Sequence, residues 1–514
     1  MLKKLASLLF IFVLALPLQA QQPKKLNASQ IHDAVKKLNF LGTVLYVAAH
    51  PDDENTRLIS YMSNQVKART AYLSLTRGDG GQNLIGPEIR ELLGVIRTQE
   101  LLAARSVDGG EQRFSRANDF GYSKRPEETL DIWNKDQVLS DVILAIRQFK
   151  PDIIINRFDH RTPGSTHGHH TTSAMLSVEA FDLANNPNIY PEQVKTYGTW
   201  QPKRQFFNTS WWFYGNEENF EKADKSKLLN FDIGVYYPSK GLSNNEIAAL
   251  ARSKHLCQGF GSLTSRGTQE EYIELINGDL PKDKTNLFEG IDTTWNRVKG
   301  GKTIGDILEN VEANFNFENP STHVKDLLLA RQLIQQLDNE YWKNYKTQEI
   351  DAIIEACLGL YLEASASTPT ASPGETITIN LEAVNRSPIN MELVSYHIST
   401  DKIATLKALS LKNNDKQNLE QSLTIPKDMQ PSSPYWLNKK GTLGMYKVED
   451  KNLIGKPETP KPISVTFNLT INNQPFSVTK PIVYRYSKPD KGELYRPFEI
   501  IPEASAKISE KVII

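Results

Sequence analysis

Between residues 40 and 185 short, β-rich apolar runs alternate with stretches of helical periodicity. Residues 43–49 (TVLYVAA), 69–75 (RTAYLSL) and 152–156 (DIIIN) read as buried strands. Residues 89–105 and 137–149 read as helices, and in the second Val138, Val142, Ile146 and Phe149 recur at helical spacing. This alternation predicts an α/β fold: a Rossmann-like, mainly parallel sheet with helices on both faces, continuing to about residue 300 through the aromatic cluster Trp211, Trp212, Phe213 and Tyr214. Residues 304–364 turn helical, as in 324–337 and 347–362. Beyond Ala364 a Ser/Thr/Pro-rich stretch leads into period-two runs at 373–384, 462–471 and 476–484, which predict a C-terminal, immunoglobulin-like β-sandwich. The expected organisation is a leader at 1–20, an α/β domain at 21–300, a helical linker segment at 301–364 and the β-sandwich at 365–514.

The leader reading rests on Lys3 and Lys4 ahead of an apolar block from Leu5 to Leu16, then Pro17 and the small residue Ala20. That is the layout of a secretory signal peptide and is short for a membrane span. The expectation is an exported protein, periplasmic or extracellular, with no membrane span once the leader is cleaved. Lys plus Arg balances Asp plus Glu, 60 against 60, so no overall field selects nucleic acid or an anionic membrane. Two cysteines, Cys257 and Cys357, are too few for a disulfide scaffold; they could pair in an oxidising compartment, but two buried free thiols is the commoner situation.

The candidate chemistry lies at two strand ends. The first strand runs straight into Ala48-Ala49-His50-Pro51-Asp52-Asp53-Glu54, and the 152–156 strand is followed by a segment holding four of the nine histidines, His160, His167, His169 and His170. In a parallel sheet such ends share one edge, where ligands sit. Catalytic zinc takes nitrogen and carboxylate ligands, three from the protein, and leaves one position open. His50, Asp53 and His170 supply such a set. The offset of three between His50 and Asp53 suits a tight turn, and His167 shares that offset with His170. Asp52, beside the ligands but not needed as one, is the candidate general base. His167 is left to stabilise an oxyanion or to protonate a departing amine. His160 and His169 read as supporting residues, since one zinc needs only three protein groups.

These motifs resemble the PIG-L (LmbE-like) family of zinc-dependent N-acetylglucosaminyl deacetylases. Leu75-Thr76-Arg77-Gly78-Asp79-Gly80-Gly81 resembles its Thr-x-Gly-acidic-Gly loop, Arg97-Thr98-Gln99-Glu100 its Arg-x-x-Glu helix, and His255-Leu256-Cys257-Gln258 a late His-x-Ser-Gln element. The likeness spans about 40–265. It implies a deacetylase domain within 21–300, Zn2+ or another divalent transition metal on His50, Asp53 and His170, Asp52 as base, and substrate contacts at Arg97 and Asp79. His169 and Glu54 are expected to support the ligands from behind. The implied partner is a carbohydrate, an N-acetylated amino sugar. One departure is that His169 stands where the family places an acidic or amide residue. That departure and the appended β-rich region motivate an alternative: a non-catalytic carbohydrate-binding protein with a relic metal site. A further alternative is a deacylase of another amide.

Overall fold

The computed structural model describes residues 25–162, 165–400 and 403–506; the leader expected at 1–20 lies outside them. Seven strands form the first sheet: β1 (Thr43–Ala48), β2 (Arg69–Ser74), β3 (Glu111–Phe114), β4 (Ile153–Asn156), β5 (Arg204–Thr209), β6 (Leu228–Asp232) and β7 (Glu270–Gly278). Their spatial order is β3-β2-β1-β4-β5-β7-β6. The first five are parallel, while β7 runs antiparallel to both β5 and β6.

Every residue of β1 is buried, because both of its faces are covered. Val44, Tyr46 and Ala48 pack with Leu58, Ile59 and Met62 of helix α2 (Thr56–Asn64) and Leu101 of helix α3 (Glu91–Asp108). Leu45 and Val47 point the other way, toward Val138, Val142 and Ile146 of helix α4 (Lys135–Phe149) and Leu176 and Ala180 of helix α5 (Gly168–Leu183). Strand order reverses between β1 and β4, which lie side by side with Val47 opposite Asn156. Such a reversal opens a crevice at the carboxyl ends of the two strands. Both motif-bearing loops leave from there.

The helical segment is more than a linker. Helices Lys302–Ala313, Val324–Gln335 and Glu340–Cys357 share one core with Ile31 and Val35 of the N-terminal helix α1 (Ala28–Leu38) and with the C-terminal sheets. Strand Tyr361–Ala366 follows directly, so the β region opens ahead of the expected residue 365. It comprises a five-stranded and a four-stranded sheet whose alternating buried residues, such as Ile377, Ile379 and Leu381 facing Val465, Phe467 and Leu469, join the same core. The expected run at 476–484 is two strands, Gln474–Pro481 in one sheet and Val483–Lys488 in the other. The chain changes sheets beside Pro481, which has no N–H for a ladder.

Candidate metal centre and its pocket

The turn after β1 explains why His50 and Asp53 meet. The His50 N–H donates to Asp53 Oδ2 at 2.7 Å and the Asp53 N–H to His50 O at 3.3 Å, closing the turn through both backbone and side chain. The Tyr72 hydroxyl donates to the His50 carbonyl from β2. Asn55 then caps α2, accepting from the N–H groups of Arg57 and Leu58. Asp52 sits at the strained point of the turn with φ 101°, its N–H held by Glu54 Oε2 at 2.9 Å. Non-glycine residues reach that region only where surrounding structure forces them, commonly at functional sites.

His170 arrives from the first turn of α5, its ring stacked on Phe158 at 3.9 Å between centroids. Its Nε2 lies 3.3 Å from Asp53 Oδ1, while His50 Nδ1 lies 3.1 Å from Asp53 Oδ2. One donor atom from each of His50, Asp53 and His170 falls within a 4.8 Å group. An ion with bonds of about 2.1 Å to tetrahedral ligands separates those ligand atoms by roughly 3.4 Å. The spacing and the donor chemistry therefore fit a single cation. His50, His167 and His169 also approach one another within 4.8 Å. There, however, His50 Nε2 and His169 Nδ1 are 2.9 Å apart, a hydrogen bond rather than two ligands of one ion.

The electrostatics suit the same arrangement. Burial disfavours charge on Asp53, but the His170 and His50 rings outweigh it and hold the carboxyl well below its usual range, ionised as a ligand must be. Burial likewise opposes charge on His50, yet Asp53 raises its pKa to about 9, so a bound cation must displace a proton from that ring. Burial, then the charge of Asp53, push Asp52 up to about 7, against the pull of Arg97. His167 falls to about 4 through burial and the neighbouring His50 and His170, and is neutral at pH 7.

His169 lies behind the His50 ring. Its ring is fully buried, stacked on Trp133 at 4.7 Å and against Phe120, and it bonds the ring of His50, not that of His167. Burial lowers its pKa, so it is neutral. With His169 Nδ1 accepting from the His50 Nε2–H, the lone pair of His50 Nδ1 is directed to the Asp53 side, the usual way an outer partner fixes a metal-binding imidazole. His167 instead caps α5, its Nδ1 accepting from the His169 N–H at 3.1 Å. The Ser123 N–H lies farther, 3.4 Å from Nε2. A neutral ring has one acceptor, so the shorter bond leaves the proton on Nε2. Substituting His169 with Phe, which fills the slot over Trp133 but cannot accept from His50, is expected to weaken zinc binding by about 10–100-fold. Competition with a chelating dye measures this.

The pocket, about 440 Å³, is lined by His50, Asp52, Asp53, Arg97, His167 and His170 among others. Arg97 is buried beneath the glycine loop, where a Cβ on Gly81 would strike its guanidinium at 2.5 Å. With its amide oxygen turned to Arg97, Gln258 accepts from Nη2 at 2.6 Å. Asp79, the other expected substrate contact, is corrected: it is buried behind the loop and accepts from the Tyr446 hydroxyl instead. Glu54 lies behind the turn, paired with His255 Nε2 at 2.8 Å and Arg105 at 3.1 Å, which hold its carboxyl down at about 2 against burial. Glu100 is buried as well and accepts from the Cys257 N–H. Both cysteines are free and buried. Trp211 and Trp212 are exposed.

Sequence reading missed the loop after β3. It supplies Asp119, Gly121 and Tyr122 to the pocket, and the Tyr122 ring lies 4.9 Å from that of His167. The signal was faint, since β3 reads Glu-Gln-Arg-Phe, too short and polar to stand out as a strand.

Fold and site together define a doubly wound α/β protein with a cation-ready His-Asp-His cluster at its topological switch point. The chain carries a PIG-L domain: residues 45–181 match the family model described as GlcNAc-PI de-N-acetylase, in line with the motif resemblance. No curated protein matches the chain. Among solved structures, N,N'-diacetylchitobiose deacetylase from Pyrococcus horikoshii, complexed with its inhibitor MPG, is similar at 16% identity over 41% of this chain and 70% of that chain, with a TM-score of 0.29. Pseudomonas fluorescens alkylpurine DNA glycosylase AlkC is similar at 14% identity over 46% and 59%, TM-score 0.14. A β-glucosidase from Listeria innocua in complex with glucose is similar at 10% identity over 24% and 16%, TM-score 0.12. No helix among the described residues is long and apolar enough to cross a membrane.

Proposed function

We propose that this protein is an exported, metal-dependent N-deacetylase that hydrolyses the acetamide of an N-acetylated amino sugar in a glycan or glycoside. The observation that carries the reading is the convergence of His50, Asp53 and His170 from two strand ends, with Asp52 beside them in the same pocket. Zn2+ or another divalent transition metal bound there polarises an amide carbonyl and lowers the pKa of water to about 7.

The chain's own residues supply the rest. Asp52, poised near neutrality, takes a proton from the attacking water. His167, neutral and protonated on Nε2, donates a hydrogen bond to the carbonyl oxygen as it gains charge. A ring that holds no second proton at pH 7 is a poor acid, so the proton on Asp52 passes to the nitrogen as the C–N bond breaks. The water oxygen leaves in acetate and the sugar retains a free amine.

Acetate release across a panel of N-acetylated glycans, zinc-loaded and chelated, tests this. Release that stops on chelation and returns with zinc is expected. Sugar affinity and bound zinc without acetate would favour a binding protein, and release indifferent to chelation would reject the mechanism.

A further inference from the structure

Between strands Lys416–Thr424 and Ser464–Ile471 the β region sends out a long loop that leaves the sandwich and lies against the α/β domain. Loops of such length without strands of their own are uncommon in compact domains unless they serve a purpose. This one reaches the backs of both walls of the pocket.

The first wall is the glycine loop, whose Gly80, Gly81 and Gln82 line the pocket. The loop residue on each side of Gly78 is held from the C-terminal region. Arg77 is fully buried, with its guanidinium between the rings of Phe114 and Trp436 at 4.1 and 3.4 Å. It donates to Lys456 O at 3.1 Å, Pro457 O at 3.0 Å and the Tyr435 hydroxyl at 3.2 Å. Asp79 accepts from the Tyr446 hydroxyl, and its other oxygen has no partner among the described residues. Gly78, at φ +74°, is the bend between them.

The second wall is Asp119, Gly121 and Tyr122. The chain leading into it pairs with the same loop: the Tyr446 N–H donates to Arg116 O at 2.8 Å, the Asn118 N–H to Gly444 O at 2.9 Å, and Ala117 bridges Met445. The two walls abut, since a Cβ on Gly80 would strike Gly121 N and Asp119. Asn118 O also accepts from Trp133 Nε1 at 2.9 Å, the indole on which His169 stacks.

We infer that the 435–458 loop is a brace built into the active site, and that Tyr446 is a positioning residue that acts through Asp79 to fix the glycine loop against the substrate. The inference deepens the deacetylase reading and rests on it for its kinetic consequence. Its physical basis is that a buried carboxyl deprived of its hydrogen-bond donor is costly and drives local rearrangement. Here that movement displaces the backbone of Gly80 and Gly81, which face the pocket. The cation ligands stand on other loops and are untouched. The α/β unit would therefore depend for substrate grip on a residue from the far end of the chain.

The test is Tyr446→Phe in the full-length, zinc-loaded protein, which removes one oxygen atom and keeps the ring. Expected are unchanged zinc content, a KM higher by about tenfold with a smaller change in kcat, and faster hydrogen exchange at residues 78–82 while β1 and β4 keep wild-type protection. A lowered Tm with KM and exchange at 78–82 both unchanged would overturn the inference and leave Tyr446 a packing residue. Should the wild type release no acetate from any glycan, the deacetylase reading fails by itself. Exchange at 78–82 then decides for the brace if it accelerates and against it if it does not.

Discussion

Asp52→Asn is expected to bind zinc as the wild type does and to lose acetate release by about 10²–10⁴-fold, the usual worth of a positioned general base. Asn has nearly the shape of Asp and tolerates positive φ, so the turn at φ 101° and the bond from its N–H to Glu54 survive. What disappears is the group that accepts the water's proton. The pH profile follows from the same carboxyl. Asp52 works only when deprotonated, so kcat/KM falls as pH drops through its pKa, which burial and Asp53 raise to about 7. A bound dication stabilises the carboxylate, so the acid limb lies below that value. The limb should be missing from the residual rate of Asp52→Asn. A third variant separates function from stability: Asp52→Gly is equally inactive but is expected to gain about 1 kcal/mol by relieving the backbone strain, read as a raised Tm. Undiminished turnover in Asp52→Asn would remove Asp52 from the mechanism.

His170→Ala carries the second large effect. Deleting one of three protein ligands should weaken zinc binding by more than the roughly 10–100-fold set by an outer partner such as His169, and abolish turnover at micromolar zinc. Stability offers an independent reading. An ion that binds only the folded chain stabilises it by about 4 kcal/mol at a thousand times its Kd. Wild-type Tm should therefore rise on zinc addition and fall on chelation, whereas His170→Ala should respond to neither. The ring's stacking on Phe158 predicts some loss of stability without metal as well. An unchanged zinc-dependent Tm in this variant would mean that the ion sits elsewhere.

Much of this site was legible in the sequence because its chemistry is local. His50 and Asp53 are three residues apart at the end of a strand whose unbroken apolar run could hardly be misread, and His170 follows the strand at 152–156. Their convergence needed only the parallel order of β1 and β4. What escaped was non-local or carried by short polar elements. β3 shows no periodicity, so the wall holding Asp119 and Tyr122 had no strand to announce it. Asp79 reads as a substrate contact only through the family resemblance. Only the long-range partner Tyr446 shows that it faces inward. His169 stands where the family places an acidic or amide residue, and only the start of the helix shows that its ring turns to His50. The helical segment read as a linker since its burying partners lie at both ends of the chain.

The most direct test is zinc K-edge X-ray absorption, with anomalous diffraction, on the metal-loaded protein. The expected result is one zinc with two imidazole nitrogens at about 2.0–2.1 Å and a carboxylate oxygen at about 2.0–2.2 Å, located between His50, Asp53 and His170. A zinc found on other residues, or no tightly held zinc at all, would contradict the account.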